Sequence, residues 1–265
     1  MEVLARYWEQ VVVPQWEARL VPGLVEAMVL PKTGSVLVAR CRTGYAAQLL
    51  VERLPDAVRC MAIDANRDML DIARNRLLPE GRRIWWESRE VDPLPYQDDV
   101  FGASICASGL TTKDDLHRVG RELARVTTSG GHVGMVVSMS NTFQAFYDLL
   151  REAMLRHGLV HLEPELNAFV DNLIDPDALR FNLGAAGVRD VQMRVQSWPV
   201  SFENGARLWN DRLIASLFMP SWAKICPDRE LRDQLFEYIA SALDTYFHGY
   251  KIELEVCAAW VIGRV

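Results

Sequence analysis

The feature that most constrains this chain is a strand, glycine turn, helix and second strand packed into residues 35–64. Ser35-Val36-Leu37-Val38-Ala39 is a short apolar β-rich run, with Gly34 before it and Thr43-Gly44 after it. Tyr45 to Leu54 has helical composition, with Ala46, Leu49, Leu50 and Leu54 spaced to cover one face. Val58 to Ile63 is a second apolar run that ends in Asp64. Such a βαβ unit needs parallel strands, and short parallel strands need helices on both faces of their sheet.

The alternation continues along the chain. Asn66 to Leu78 reads as a helix with Met69, Leu70, Ile72, Ala73 and Leu77 inward, and Arg83 to Trp86 as a third strand. A fourth strand is expected at Ala103 to Ala107 and a fifth at His132 to Met139. Between them a helix from Asp114 to Thr127 is expected to stop at Ser129-Gly130-Gly131, a glycine stop of the C-cap kind. Repeated βα units make a doubly wound α/β sheet the expected fold. Beyond Ser140 the chain turns more helical. Phe143 to His157 is amphipathic, and Asp175-Pro176-Asp177 starts a helix with an N-cap and a first-turn proline. Two late strands are expected at Asp190 to Val200 and Tyr250 to Ile262, with a helical insert at about 204–248 carrying Trp209, Phe218, Trp222, Phe236, Tyr238, Tyr246 and Phe247.

The N-terminal segment, 1–34, reads as helical. Tyr7, Trp8, Val11, Val12, Trp16 and Leu20 form an apolar stripe broken near Pro14, expected to pack on the sheet, with a substrate lid as the alternative. Residues 35–140 then form a cofactor-binding type of core and 141–265 a C-terminal half, all within one domain.

Charge and cysteine usage narrow the function. A net charge of −6 speaks against a nucleic-acid surface, since phosphate binding rests on clustered Lys and Arg. Five scattered cysteines without a Cys-x-x-Cys pair read as reduced thiols, and neither they nor the histidines show metal-ligand spacing. His157 and His161 are four apart, but Gly158 lies between them and no third ligand is suggested. No apolar run approaches the roughly 20 residues of a membrane span, and the expectation is a cytoplasmic protein.

The residues from Val36 to Gly44 resemble the Val-Leu-Asp-x-Gly-Cys-Gly-Thr-Gly loop of class I S-adenosylmethionine-dependent methyltransferases of the small-molecule type, including the ubiquinone and biotin-pathway enzymes. Ala62 to Leu70 is similar to the second-strand segment, with Asp64 at the position of the ribose-binding acid. Leu94-Pro95-Tyr96 with Val100-Phe101 is similar to the Leu-Pro-Phe…Phe-Asp stretch, Arg121 to Gly131 to the helix and Pro-Gly-Gly turn, and Asp177 to Val188 to the helix before the sixth strand. The resemblance implies a mainly parallel sheet of seven strands with the last antiparallel. It also implies that Gly44, Asp64 and Glu90 would touch the cofactor if one is bound.

Four positions depart from that pattern. The loop acid is Val38, two loop glycines are Arg40 and Arg42, and the Asp of Phe-Asp is Gly102. A guanidinium about 5 Å from the cofactor's sulfonium or ammonium group costs roughly 3 kcal/mol at an effective dielectric of about 20, or about a hundredfold in affinity. The preferred expectation is therefore a methyltransferase-like protein without cofactor or methyl transfer, working through a protein partner or as a homodimer. The alternative is an active S-adenosylmethionine-dependent enzyme on a small molecule. A third reading gives Arg40 and Arg42 an anionic ligand. Asp64 could bind ribose or cap the next helix, with Asn66 as a rival cap, and Glu90 reads as a solvated loop acid. Trp85 and Trp86 straddle a strand, so at least one is expected in the core. No methyl-transfer base is indicated.

Overall fold

Val36, Leu37, Val38 and Ala39 are consecutive and all buried, which is possible in a strand only when both faces of its sheet are covered. The computed structural model, which describes residues 2–265, meets that requirement. A first helix α1 (Glu2–Tyr7) widens to π geometry over Trp8–Glu17 and narrows again into α2 (Ala18–Ala27). The expected break at Pro14 does not occur. The wider turns take the proline, which has no N–H to donate, inside a continuous helical segment.

The core then alternates as β1 (Gly34–Ala39), α3 (Tyr45–Arg53), β2 (Val58–Asp64), α4 (Arg67–Arg76), β3 (Ile84–Ser88), β4 (Phe101–Leu110), α5 (Lys113–Val126) and β5 (Thr127–Ser138). Helices α6 (Gln144–Arg156), α7 (Glu163–Asp171) and α8 (Pro176–Ala185) precede β6 (Arg189–Phe202). Helices α9 (Gly205–Trp209), α10 (Met219–Trp222) and α11 (Arg229–Tyr246) precede β7 (Ile252–Arg264). The seven strands are ordered β3-β2-β1-β4-β5-β7-β6. The pairs from β3 through β5 are parallel, and β7 runs antiparallel to β5.

Where the sequence reads as one domain with an insert, the chain packs as two compact units. Of the described residues, one unit comprises 2–138, 174–195 and 258–265; the other comprises 139–173 and 196–257. In the first, α5 shows why the pattern was readable: Leu116, Val119, Leu123 and Val126 fall on one buried face. Thr112 caps it by accepting from Asp115 N, an arrangement whose loss typically costs about 1 kcal/mol. Glu122 and Arg125 hold the loop before β4. Leu94 N donates to Glu122, while Arg125 donates to the carbonyls of Leu94 and Tyr96.

The helix stop expected at Ser129-Gly130-Gly131 is corrected. Helix α5 already ends at Val126, and Thr127 pairs with Phe101 as the start of β5. Gly131 is required by a close approach instead, because an added Cβ would lie 2.6 Å from the carbonyl oxygen of Gly102. In the second unit the insert aromatics form a core. Phe146 stacks on Trp222 at 3.9 Å and Trp209 on Phe236 at 4.5 Å. Trp222 Nε1 donates to the Tyr147 hydroxyl and Trp209 Nε1 to the Phe236 carbonyl, so the buried Trp222 indole and the half-buried Trp209 indole both have a partner for their N–H. Tyr246 is left exposed.

Candidate functional site

Along this sheet the chain leaves β1 toward β2 and β3, then returns to the other side of β1 for β4. The C-terminal ends of β1 and β4 are thus the switch point of the sheet, where open α/β folds bind ligands. Register places Ala39 level with Ile63 on one side and with Cys106 on the other. The loop that leaves Ala39 carries Arg40, Arg42 and Gly44, and all three have left-handed backbone, with φ of 48°, 49° and 85°. These are the three glycine positions of the resembled loop. Two arginines adopt left-handed backbone at these positions, at a cost of roughly 1–2 kcal/mol each. Cys41 N donates to Ile63 O and Gly44 N to Cys41 O, which closes the turn against the end of β2.

Gly44 has a packing reason to be glycine. A Cβ there would stand 2.9 Å from Ala73 Cβ, where the start of α3 crosses α4. Thr43, fully buried beside it, has no hydrogen-bond partner for its hydroxyl oxygen.

Both guanidiniums are held by carboxylates. Arg40 makes a bidentate pair with Asp115, in the first turn of α5, with both N···O distances 2.7 Å. Burial works against the Arg40 charge, but the Asp115 carboxylate outweighs it and holds the guanidinium protonated. The pair joins the loop after β1 to the helix after β4 and so crosses the switch point. Arg42 lies 3.8 Å from Asp64 and 5.0 Å from the centre of the Trp8 ring. Neither arginine offers the uncommitted charge that the anionic-ligand reading needs.

Asp64 is only 2% exposed, and both its oxygens are used. Oδ2 accepts from Arg42 N and Oδ1 from Asn66 N. It is not the cap of α4; Asn66 is, accepting from Asp68 N and Met69 N. Glu90 is exposed in the loop after β3. Val38 is fully buried and supplies an apolar surface where the resembled loop has its acid.

Gly102 does not belong to this site. It sits at the opposite end of β4, next to Ala103, which pairs with Val36 near the start of β1. A Cβ on it would meet Pro31 Cβ at 2.6 Å, so a larger residue could enter only if Pro31 shifted. The tryptophan expectation is also corrected: Trp85 is 52% exposed and Trp86 is half-buried, because β3 is an edge strand. Among the described residues no cluster of His, Cys, Asp and Glu could hold a metal, and no helix is long and apolar enough to cross a membrane.

The residues missed from the sequence are Asp115, Trp8 and Glu17. The first reads as an ordinary first-turn helix acid and the second as a core aromatic. Only the tertiary fold brings them to Arg40 and Arg42.

This sheet order, with an antiparallel last strand, is the class I methyltransferase fold, and residues 36–131 match the family model described as a methyltransferase domain. The chain resembles the S-adenosylmethionine-dependent small-molecule methyltransferases in that segment and in its fold. It is 28% identical over 119 residues to the methyltransferase GfsG of Streptomyces halstedii, covering 44% of this chain and 42% of that one. It is 30% identical over 111 residues to the ubiquinone/menaquinone biosynthesis C-methyltransferase UbiE of Xylella fastidiosa, covering 40% and 44%. The match thus spans less than half the length of these curated relatives. Among solved structures, the YcgJ protein of Bacillus subtilis superposes with a TM-score of 0.55 at 16% identity, over 92% of this chain and 97% of that one. The geranyl diphosphate C-methyltransferase of Streptomyces coelicolor gives 0.53 at 14% identity, over 98% and 84%.

At the switch point three features differ from the loop that the sequence resembles. The acid is replaced by Val38, the ribose acid is engaged by two amides, and a bidentate ion pair spans the gap.

Proposed function

We propose that this chain is a methyltransferase-fold protein that does not use S-adenosylmethionine and acts without methyl transfer, through a protein partner or a second copy of itself. The observation that carries the reading is the Arg40–Asp115 pair across the switch point. To admit the cofactor there, the chain would have to separate a charge-assisted bidentate pair and expose both ions to a ligand that is itself cationic. The arginines hold left-handed backbone against its steric cost, and their ion pairs offset that cost. For a partner, the second unit offers an apolar groove of about 430 Å³ lined by Leu149, Leu243, Phe247 and Leu254, with exposed Tyr246 at its edge. Equilibrium dialysis of the whole chain against radiolabelled S-adenosylmethionine tests the reading. No retained label is expected; saturable retention contradicts it.

A second reading, an active S-adenosylmethionine-dependent enzyme on a small molecule, is favoured by the comparisons. The curated relatives named above are methyltransferases, and the loop has left-handed backbone at the three positions where the resembled loop has glycine. In this reading the Asp64 carboxylate accepts hydrogen bonds from the ribose hydroxyls and Gly44 lies against the cofactor. Unchanged cofactor binding and turnover in Asp64→Ala would remove that version of the site.

A further inference from the structure

The π-type stretch Trp8–Glu17 ends in two side chains that meet. Trp8 Nε1 donates to Glu17 Oε1 at 2.9 Å, and both residues are buried. Widened helical turns of this kind are uncommon and frequently occur at functional sites. Here Trp8 presents its ring to the Arg42 guanidinium, at 5.0 Å from ring centre to guanidinium carbon. The same stretch is tied down from the other side. Glu9 pairs with Arg76 of α4, and the Arg76 guanidinium in turn lies 5.7 Å from the ring centre of Tyr45, the first residue of α3. The segment is thus tied to α4, and Arg76 in turn links α4 to the start of α3.

Glu17 faces Trp8, Arg42 and Asp64, and Tyr45 feels its charge from α3. Burial dominates and pushes its carboxyl up to about 7, against the hydrogen bond from Trp8 and the pull of Arg42. A neutral or partly ionised Glu17 keeps its acceptor on the indole and leaves the Arg42 charge to Asp64.

We propose that Trp8–Glu17 is an internal latch: Trp8, oriented by Glu17, holds the Arg42 guanidinium against Asp64 and so keeps the loop closed. The proposal rests on the closed-loop reading and adds that closure is governed from the N-terminal segment. Holding a long, flexible side chain in one geometry costs rotamer entropy, which its partners must offset. Arg42 has both the Asp64 carboxylate and the Trp8 ring as partners.

Amide hydrogen exchange on the full chain tests the latch. Trp8→Leu is expected to speed exchange at the Arg42, Thr43 and Gly44 amides by about tenfold or more, with the amides of β1 and β4 unchanged. Loop exchange within about twofold of the wild type, in a folded variant, overturns the latch. Should Trp8→Leu also lose protection in β1, Arg42→Gln decides from the other side. Faster exchange across residues 8–17 supports the latch, and unchanged exchange there overturns it. Titration with S-adenosylhomocysteine separates the latch from the reading beneath it. In an Arg40→Gly background, adding Trp8→Leu is expected to raise affinity by about tenfold. Binding by Arg40→Gly/Arg42→Gly with no gain from Trp8→Leu sinks the latch and leaves the closed-loop reading. Binding by the wild-type chain sinks that reading, and the latch with it.

Discussion

Arg40 and Asp115, 75 residues apart in sequence, form a bidentate pair that joins the chain leaving β1 to the chain leaving β4. Charge-assisted pairs of this kind contribute about 1.5–3 kcal/mol where they are partly shielded from water. Asp115→Asn keeps the size of the side chain and removes its charge. Urea unfolding should show a loss of about 1–2 kcal/mol, reduced from the full range because both side chains are partly exposed.

The left-handed backbone at positions 40 and 42 gives a paired comparison. Arg40→Ala and Arg40→Gly both delete the ion pair, but only glycine accepts φ of 48° without strain. Arg40→Gly should therefore be more stable than Arg40→Ala by about 1 kcal/mol, and the same order is expected at Arg42. Equal stabilities in chemical denaturation would contradict the assigned backbone.

Gly44→Ala meets two penalties at once. The new Cβ stands 2.9 Å from Ala73 Cβ, and its backbone has φ of 85°. A loss of about 2–4 kcal/mol is expected, of which Ala73→Gly should restore only the packing part.

Much of this architecture was legible because buried parallel strands are nearly continuous apolar runs and the helices between them repeat at a helical period. The strands at 35–39 and 58–63 and the cap at Asp175 lie where the sequence places them. The errors share a cause. Gly130-Gly131 reads as a helix stop because glycine is a common one, yet Gly131 is small to let β5 approach Gly102. Gly102 reads as damage to a cofactor site because motif order does not show which end of a strand a residue occupies. The loop substitutions at 38, 40 and 42 are visible in the sequence, but their meaning depends on Asp115, Trp8 and Glu17, which no local pattern connects to them.

Glu17 makes stability depend on pH in a direction opposite to that of an ion-paired carboxylate. Its folded-state acidity is weakened from the ordinary 4.5 to about 7, chiefly by burial, so the folded chain holds a proton that the unfolded chain releases. The stability this brings is fully present below about pH 4.5 and is lost as pH rises through about 7, a change of up to about 3 kcal/mol. Glu17→Gln keeps an acceptor for Trp8 and cannot ionise. It should exceed the wild type in stability above about pH 7, with the difference vanishing in acid. Thermal unfolding across that range checks it; parallel pH profiles would contradict it.

The most direct measurement is isothermal titration of S-adenosylhomocysteine into the wild-type chain and into Arg40→Gly/Arg42→Gly. The product carries no sulfonium charge, so it isolates the closed loop from repulsion at that centre. The account predicts no binding heat for the wild type and binding in the double variant. Micromolar binding by the wild type, about −8 kcal/mol, would contradict it and mark the chain as a cofactor-using methyltransferase.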